Sequence, residues 1–404
     1  MTSDFTIGVE EEYQLVDAET GALCSRAAEL LENAWSAELR PELQETTLEI
    51  GTAICGSAAE LDRELRRLRF QAATAAAALD CEIAAAGTHP FSRWQEHRTT
   101  SAERYALIVE RYRRIARDEH NFGMHVHIGI PPGYDRIALL NPTRAYLPHL
   151  IALAASSPFY EAEDSGYASY RMVLWRRWPN AGMPPRLASE SDYRGYIDYL
   201  IRSDVIADER GLYWGVRPHS IYPTLEFRIT DACPNVDDAV AIAALVRALV
   251  VAVATGALSE PRTAWLSDAA EHSLLTNNEW LATRFGLDAW ILDPTSTDGR
   301  IPIRSAIRQL IDQTYRTAED LGDAAALAHL EVTLQRGNGA DRMRQIYQQR
   351  GQIEPLIRWL IDETLLGTGG DRRRAQRGAR GQGPGASELG RYSAGGMRDS
   401  GIGG

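Results

Sequence analysis

The sequence predicts an α+β fold with strands of antiparallel-style alternation. Three observations carry that expectation. Four well-separated segments alternate polar and apolar residues with period two, the signature of half-buried strands. They are scattered among helices without the regular strand–helix rhythm of a doubly wound sheet. From residue 236 to about 366 the pattern is helical throughout. One sheet with a concave polar face brings the polar sides of all four strands together, over metal and ligand.

The first segment is TIGVEEEYQL, residues 6–15. Side chains on a strand alternate faces, so Ile7, Val9, Glu11 and Tyr13 share one side and Gly8, Glu10, Glu12 and Gln14 the other. Two neighbouring like charges repel, so Glu10 and Glu12 ask for a cation over their face, or for solvent. A divalent metal with oxygen ligands answers the first demand. The second segment lies within residues 41–54, PELQETTLEIGTAI, with Glu45, Thr47 and Glu49 on one face. A capping box at Ser57–Glu60 starts a helix expected to run to about Ala86, where Gly87 stops it. Residues 84–90 read as a short strand. A second capping box, Thr100–Glu103, opens a helix through roughly Asp118.

The third segment, NFGMHVHIGI at 121–130, sets His125 and His127 on one polar face. Pro142 reads as the first residue of a further helix. Residues 156–185 are irregular and rich in Gly, Pro, Tyr, Trp and Arg, and read as a substrate-contacting loop. A helix at 191–203 follows. A strand pair at 212–219 and 224–231 then puts Glu226, Arg228 and Thr230 on one face. The helical part divides into 238–258, 277–285, 304–321, 324–336 and 340–365. One catalytic domain is expected over 1–367, with a Gly/Arg-rich tail at 368–404 whose composition cannot bury a core.

Composition narrows the function. The net charge of −12 argues against nucleic acid as the main partner. There is no lysine in the chain, so no Schiff-base lysine and no phosphate-binding loop lysine exists. Any nucleotide falls to arginine, backbone amides and metal. The four cysteines are scattered without CxxC spacing and read as small hydrophobes in a reducing compartment. The N-terminus does not look like a signal peptide, and residues 245–255 are too short to span a membrane. A cytoplasmic protein without membrane or nucleic-acid partners is expected.

The HVH pair suits zinc or iron on its own. The surrounding acids, Glu10, Glu12, Glu49 and Glu226, suit Mg2+, with Mn2+ as the alternative, and hence a phosphate-bearing substrate. Glu226 and Arg228 read either as a structural ion pair or as a metal ligand beside a phosphoryl-stabilising guanidinium. Arg171, Arg176, Arg177 and Arg217 are further anion-binding candidates. No nucleophile elbow, zincin helix, Rossmann glycine pattern or P-loop is present.

The stretches GVEEEYQL, ELQETTLEIGTAIC, GMHVHIGI and TLEFRITD, with SGYASYR and RWPNAGMPP, together resemble the carboxylate–amine ligase family. This is the second type of glutamate–cysteine ligase, related in fold to glutamine synthetase, and the resemblance covers roughly residues 5–366. It implies a curved antiparallel sheet around an ATP site, with helices packed outside, and ATP-dependent amide formation through an acyl phosphate. The usual substrates are glutamate and cysteine, giving γ-glutamylcysteine, ADP and phosphate. It places metal contacts at Glu10, Glu12, Glu49, His125 and Glu226, with Glu42 as a thinner candidate. Arg228 is expected to stabilise the transferring phosphoryl group. Glu49 counts with Arg228 as catalytic, and Glu10, Glu12, Arg217 and Arg228 as nucleotide contacts. Tyr170, Arg171 and His127 are expected on the amino-acid side, with Tyr167 and the 175–178 tryptophans. A homodimer is left open. The competing readings are a metal-dependent amide hydrolase using His125 and His127, and a non-catalytic metal-binding protein. Glu11, on the opposite face, is expected to be dispensable.

Overall fold

The computed structural model describes residues 4–33, 38–260 and 265–369. Its centre is a seven-stranded sheet. The strands are β1 (Ile7–Asp17), β2 (Leu39–Pro41), β3 (Thr47–Gly51), β4 (Cys81–Ala84), β5 (Gly123–Gly129), β6 (Val216–Pro218) and β7 (Thr224–Asp231). They run in the order β6-β7-β5-β1-β3-β2, with β4 also paired to β1. Every pairing in it is antiparallel. Three further two-stranded pairs lie outside it.

β1 is the hub because it pairs with β3, β4 and β5. Its alternation is the one the sequence shows: Ile7, Val9, Glu11 and Tyr13 are buried, while Gly8, Glu10 and Glu12 keep partial exposure. The apolar side is covered by two long helices, Ala58–Ala77 and Val236–Ala254. The second is apolar nearly all round, as a fully buried helix must be. Its Arg247 is satisfied internally by the Phe5 carbonyl (2.7 Å), the Gly56 carbonyl (2.8 Å) and the Asp323 carboxylate (2.7 Å). Among the described residues no helix is long and apolar enough to cross a membrane. One hydrophobic cluster runs from Phe5 to Leu365, joining sheet and C-terminal helices.

Glu11 carries a partner that the sequence did not show. It lies on the buried face with no exposure, and its carboxylate accepts from Arg69 Nη2 at 2.5 Å and Nε at 3.0 Å. The Tyr13 hydroxyl donates to it as well. Arg69 in turn reaches the carbonyls of Cys233, Pro234 and Thr364. Glu11 is therefore the anion at a junction of β1, two helices and the turn after β7. A period-two reading gave its face correctly but could not supply the partner, which lies 58 residues away.

Several element boundaries also differ. The helix from Ser57 ends at Ala77, and a turn with Asp80 at φ 52° feeds β4. Edge pairing with β1 outweighs the alanine-rich helix propensity there. Thr100 caps no helix; its hydroxyl donates to the Glu42 carbonyl, and the helix begins at Glu103 and breaks at Arg113. Pro142 sits inside the last turn of Arg136–Thr143, whose start is capped by Asp135. The helix expected from 277 starts at Asp268, and 340–365 is two helices parted at Gly351. Cys24 and Cys81 come together, with Sγ atoms 3.1 Å apart, both as free thiols. Nearly all of the expected tail lies outside the described residues.

Candidate active site

Strand register builds the site. Glu10 stands opposite His125 on β5, and His127 opposite Glu226 on β7. Arg217 on β6 faces Glu226, and Glu49 on β3 faces Glu12 on one side and Arg40 on the other. Because all these pairs share one pleat face, residues from six strands meet over a cavity of about 490 Å³. The expected carboxylates and His125 line it, with Arg171, Arg217 and Arg228.

The acids separate into two groups. Glu12, Glu42 and Glu49 each bring a carboxylate oxygen within 4.8 Å of the other two. Burial and mutual repulsion push Glu12 up to about 7 and raise Glu49 well above the usual carboxylate range. Burial raises Glu42 too. Arg40, half exposed, lies 3.7 Å from Glu49, and the charges of Arg171 and Arg228 on Glu12 and of Arg104 and Arg228 on Glu42 only partly offset the burial. Glu42 enters from the turn between β2 and β3, a position strand periodicity does not mark. An all-oxygen donor set of this kind fits a hard divalent ion such as Mg2+ or Mn2+.

The second group is Glu10, His127 and Glu226, again within 4.8 Å. His125 Nδ1 lies 3.5 Å from Glu10 and 4.0 Å from Glu226, and His127 Nε2 lies 3.4 Å from Glu10. Burial works against the charge of Glu10, but hydrogen bonding to His125 and His127 outweighs it and lowers the pKa. Burial, helped by Arg228, pulls His125 down to about 4, so its ring is neutral at neutral pH and able to ligate. Glu226 differs from the other acids. Arg217 donates to it at 2.7 Å, Arg228 donates to its other oxygen, and against burial the two guanidinia hold it well below the ordinary range. Glu226 thus aims two arginines into the cavity as well as belonging to a ligand-like group. His127 sits with Glu10 and Glu226.

The irregular stretch before residue 185 is pinned by one carboxylate. Asp231, at the end of β7, accepts from Ser156 N (2.9 Å), Ser157 Oγ (2.7 Å) and Ser169 Oγ (2.7 Å). That anchor presents Arg171 at the base of the cavity, buried, with its guanidinium against the Arg228 carbonyl and its Nε unpartnered. A methyl group at Gly123 would come within 2.3 Å of Arg171 Nη2, which explains the glycine opening β5. Trp175 and Trp178 line the cavity, as expected of that stretch. Tyr170 does not; its ring packs on Tyr160 and Tyr167. Arg176 pairs with Glu279, Arg177 with Asp118 and Glu45 with Arg98, all away from the acids. Arg40, Arg104 and Glu119 line the cavity without a motif to announce them.

A family model for glutamate-cysteine ligase family 2 matches residues 6–358. The chain belongs to glutamate–cysteine ligase family 2. Its family relatives include proteins of Herpetosiphon aurantiacus, 34% identical over 368 residues, and of Roseiflexus sp., 35% identical over 366 residues. These matches span 90% of this chain and 94% and 95% of the relatives, and both relatives are named, provisionally, glutamate–cysteine ligase 2. Among solved structures, the fold is similar to that of glutamate–cysteine ligase from Francisella tularensis in complex with AMP. The TM-score is 0.68 at 12% identity, over 93% of each chain. It is also similar to a bifunctional glutathione synthetase from Pasteurella multocida, with TM-score 0.64 and 14% identity over 91% of this chain and 53% of that one. The family-2 chain therefore shares with these ligases the open antiparallel sheet flanked by helices that its sequence predicts.

Proposed function

We propose that this protein is an ATP-dependent carboxylate–amine ligase. It phosphorylates a carboxylate to an acyl phosphate, and an amine then displaces the phosphate. Glutamate and cysteine, giving γ-glutamylcysteine with ADP and phosphate, are the first pair to test. One observation carries the reading: a cluster of buried acids and a pair of guanidinia line a single cavity. Phosphoryl transfer needs positioning and charge neutralisation more than covalent help, and this cavity supplies both. Family membership and the AMP captured in the Francisella enzyme support an adenine nucleotide here.

In this reading Glu12, Glu42 and Glu49 hold one divalent ion, and Glu10, His125, His127 and Glu226 are placed to hold another. Bound Mg2+ neutralises phosphate charge and orients the transferring group. Arg228 and Arg217, aimed by Glu226, stabilise the phosphoryl oxygens. Arg171 takes a substrate carboxylate. The test is an ADP-release screen of purified protein against amino-acid pairs. ADP release that needs both a carboxylate and an amine supports the ligase. Amide cleavage without ATP sinks it.

A further inference from the structure

The cavity has a wall that the phosphate chemistry leaves unused. Glu119 and Asn121 stand there, with the rings of Trp175 and Trp178. The Asn121 side-chain amide donates to Glu119 Oε1. Glu119 Oε2 is buried and has no hydrogen-bond partner. Burial raises its pKa, while hydrogen bonds from the Trp178 indole and the Asn121 amide and the charge of Arg177 oppose the shift. A bland role exists, as a counter-charge for Arg177, whose nitrogen lies 3.5 Å away. That nitrogen is closer to Asp118, at 3.0 Å, so Arg177 has a better anion already.

We propose that Glu119 reads the ammonium group of the amino-acid substrate whose carboxylate is activated. The proposal rests on the ligase reading and deepens it. The unpartnered Oε2 offers the ammonium an acceptor. Arg171, the neighbouring guanidinium with an unpartnered Nε, is suited to the α-carboxylate of the same molecule. An α-amino acid carries both groups on one carbon, so an acid and an arginine on adjoining walls match it. The reacting carboxylate is left to extend toward Glu49 and Arg228. Compounds with the same two carboxylates and no amine should be poor substrates.

The experiment compares L-glutamate with glutarate, its analogue without the amine, in the wild type and in Glu119→Gln. Each is assayed by ADP release with cysteine and by calorimetric titration with ATP's non-hydrolysable analogue present. In the wild type glutamate is expected to be preferred by about tenfold to a hundredfold, the worth of one charge-assisted hydrogen bond. In Glu119→Gln glutamate falls to the level of glutarate, glutarate itself is unchanged, and the KM for ATP holds. A merely structural role lowers both compounds together, and that result overturns the proposal. Equal responses in the wild type, or a preference that Glu119→Gln keeps, overturn it too. If the wild type releases no ADP with any amino-acid pair, the ligase reading fails by itself. The titrations then still decide whether Glu119 selects the amine.

Discussion

Glu11 and Arg69 form a two-pronged ion pair, at 2.5 and 3.0 Å, with neither side chain exposed. Removing one member of such a pair leaves the other buried and uncompensated. Glu11→Gln is expected to cost about 3–5 kcal/mol of stability without changing which residues face the cavity. Urea denaturation of the variant measures it. A midpoint equal to that of the wild type would return Glu11 to the dispensable class.

Glu49 should behave in the opposite way. It repels Glu12 and Glu42 in the absence of a cation, so Glu49→Gln relieves strain. The metal-free variant is expected to melt higher than wild type by roughly 1–2 °C, the shift worth about 1 kcal/mol in a domain of this size. It should also lose the thermal stabilisation that Mg2+ with ATP gives the wild type, together with ADP release. Retained turnover would be fatal to the metal role of Glu49.

Arg228 is held by Glu226 and tests the phosphoryl end. Lysine keeps the charge but loses the planar fork that fits phosphate oxygens. Arg228→Lys is expected to lower kcat by about a hundredfold, the range seen when one preorganised donor is lost, with a smaller change in the KM for ATP. Steady-state ADP release gives both constants. A normal kcat would move phosphoryl stabilisation to another residue.

His89 sets a pH dependence of folding. Its Nδ1 accepts from the backbone N–H groups of Phe91 and Ser92, and its Nε2 meets the Gly21 carbonyl. Burial pulls its pKa down to about 3. Between pH 6.5 and 3 the unfolded chain therefore binds a proton that the folded protein refuses. The contribution is complete above pH 6.5 and is lost as the pH falls, by about 1.4 kcal/mol per unit. Glu12 and Glu49 titrate with the opposite sign, so the readout is the difference between wild type and His89→Gln. The variant should lose stability less steeply from pH 6.5 to 4.5 on denaturation, by about one proton. Parallel curves would show that His89 titrates normally.

Strand periodicity made much of the site legible. Glu10, Glu12, Glu49, His125, Glu226 and Arg228 were assignable to inward faces because alternation of two is a local property of the chain. Arg171 and the tryptophans could be placed only by the texture of their loop. Glu42 and Glu119 gave weaker signals, since both sit beside strands and not in them. Tyr170 was misplaced because its ring turns to Tyr160 and Tyr167, a choice set by packing.

The sequence by itself determined the fold class, the inward acids and the absence of any lysine chemistry. Tertiary structure decided how those acids divide. Glu12 and Glu49 were put with Glu42, where burial and, for Glu12 and Glu49, mutual repulsion raise their pKa values; Glu226 was put between two arginines, which hold its pKa down. It also turned Glu11 from a spare carboxylate into a structural anion by bringing Arg69 to it. The physical reason is the same in each case. A carboxylate's face is fixed by its neighbours in the chain, but its charge state and task are fixed by the counter-charge it meets in space.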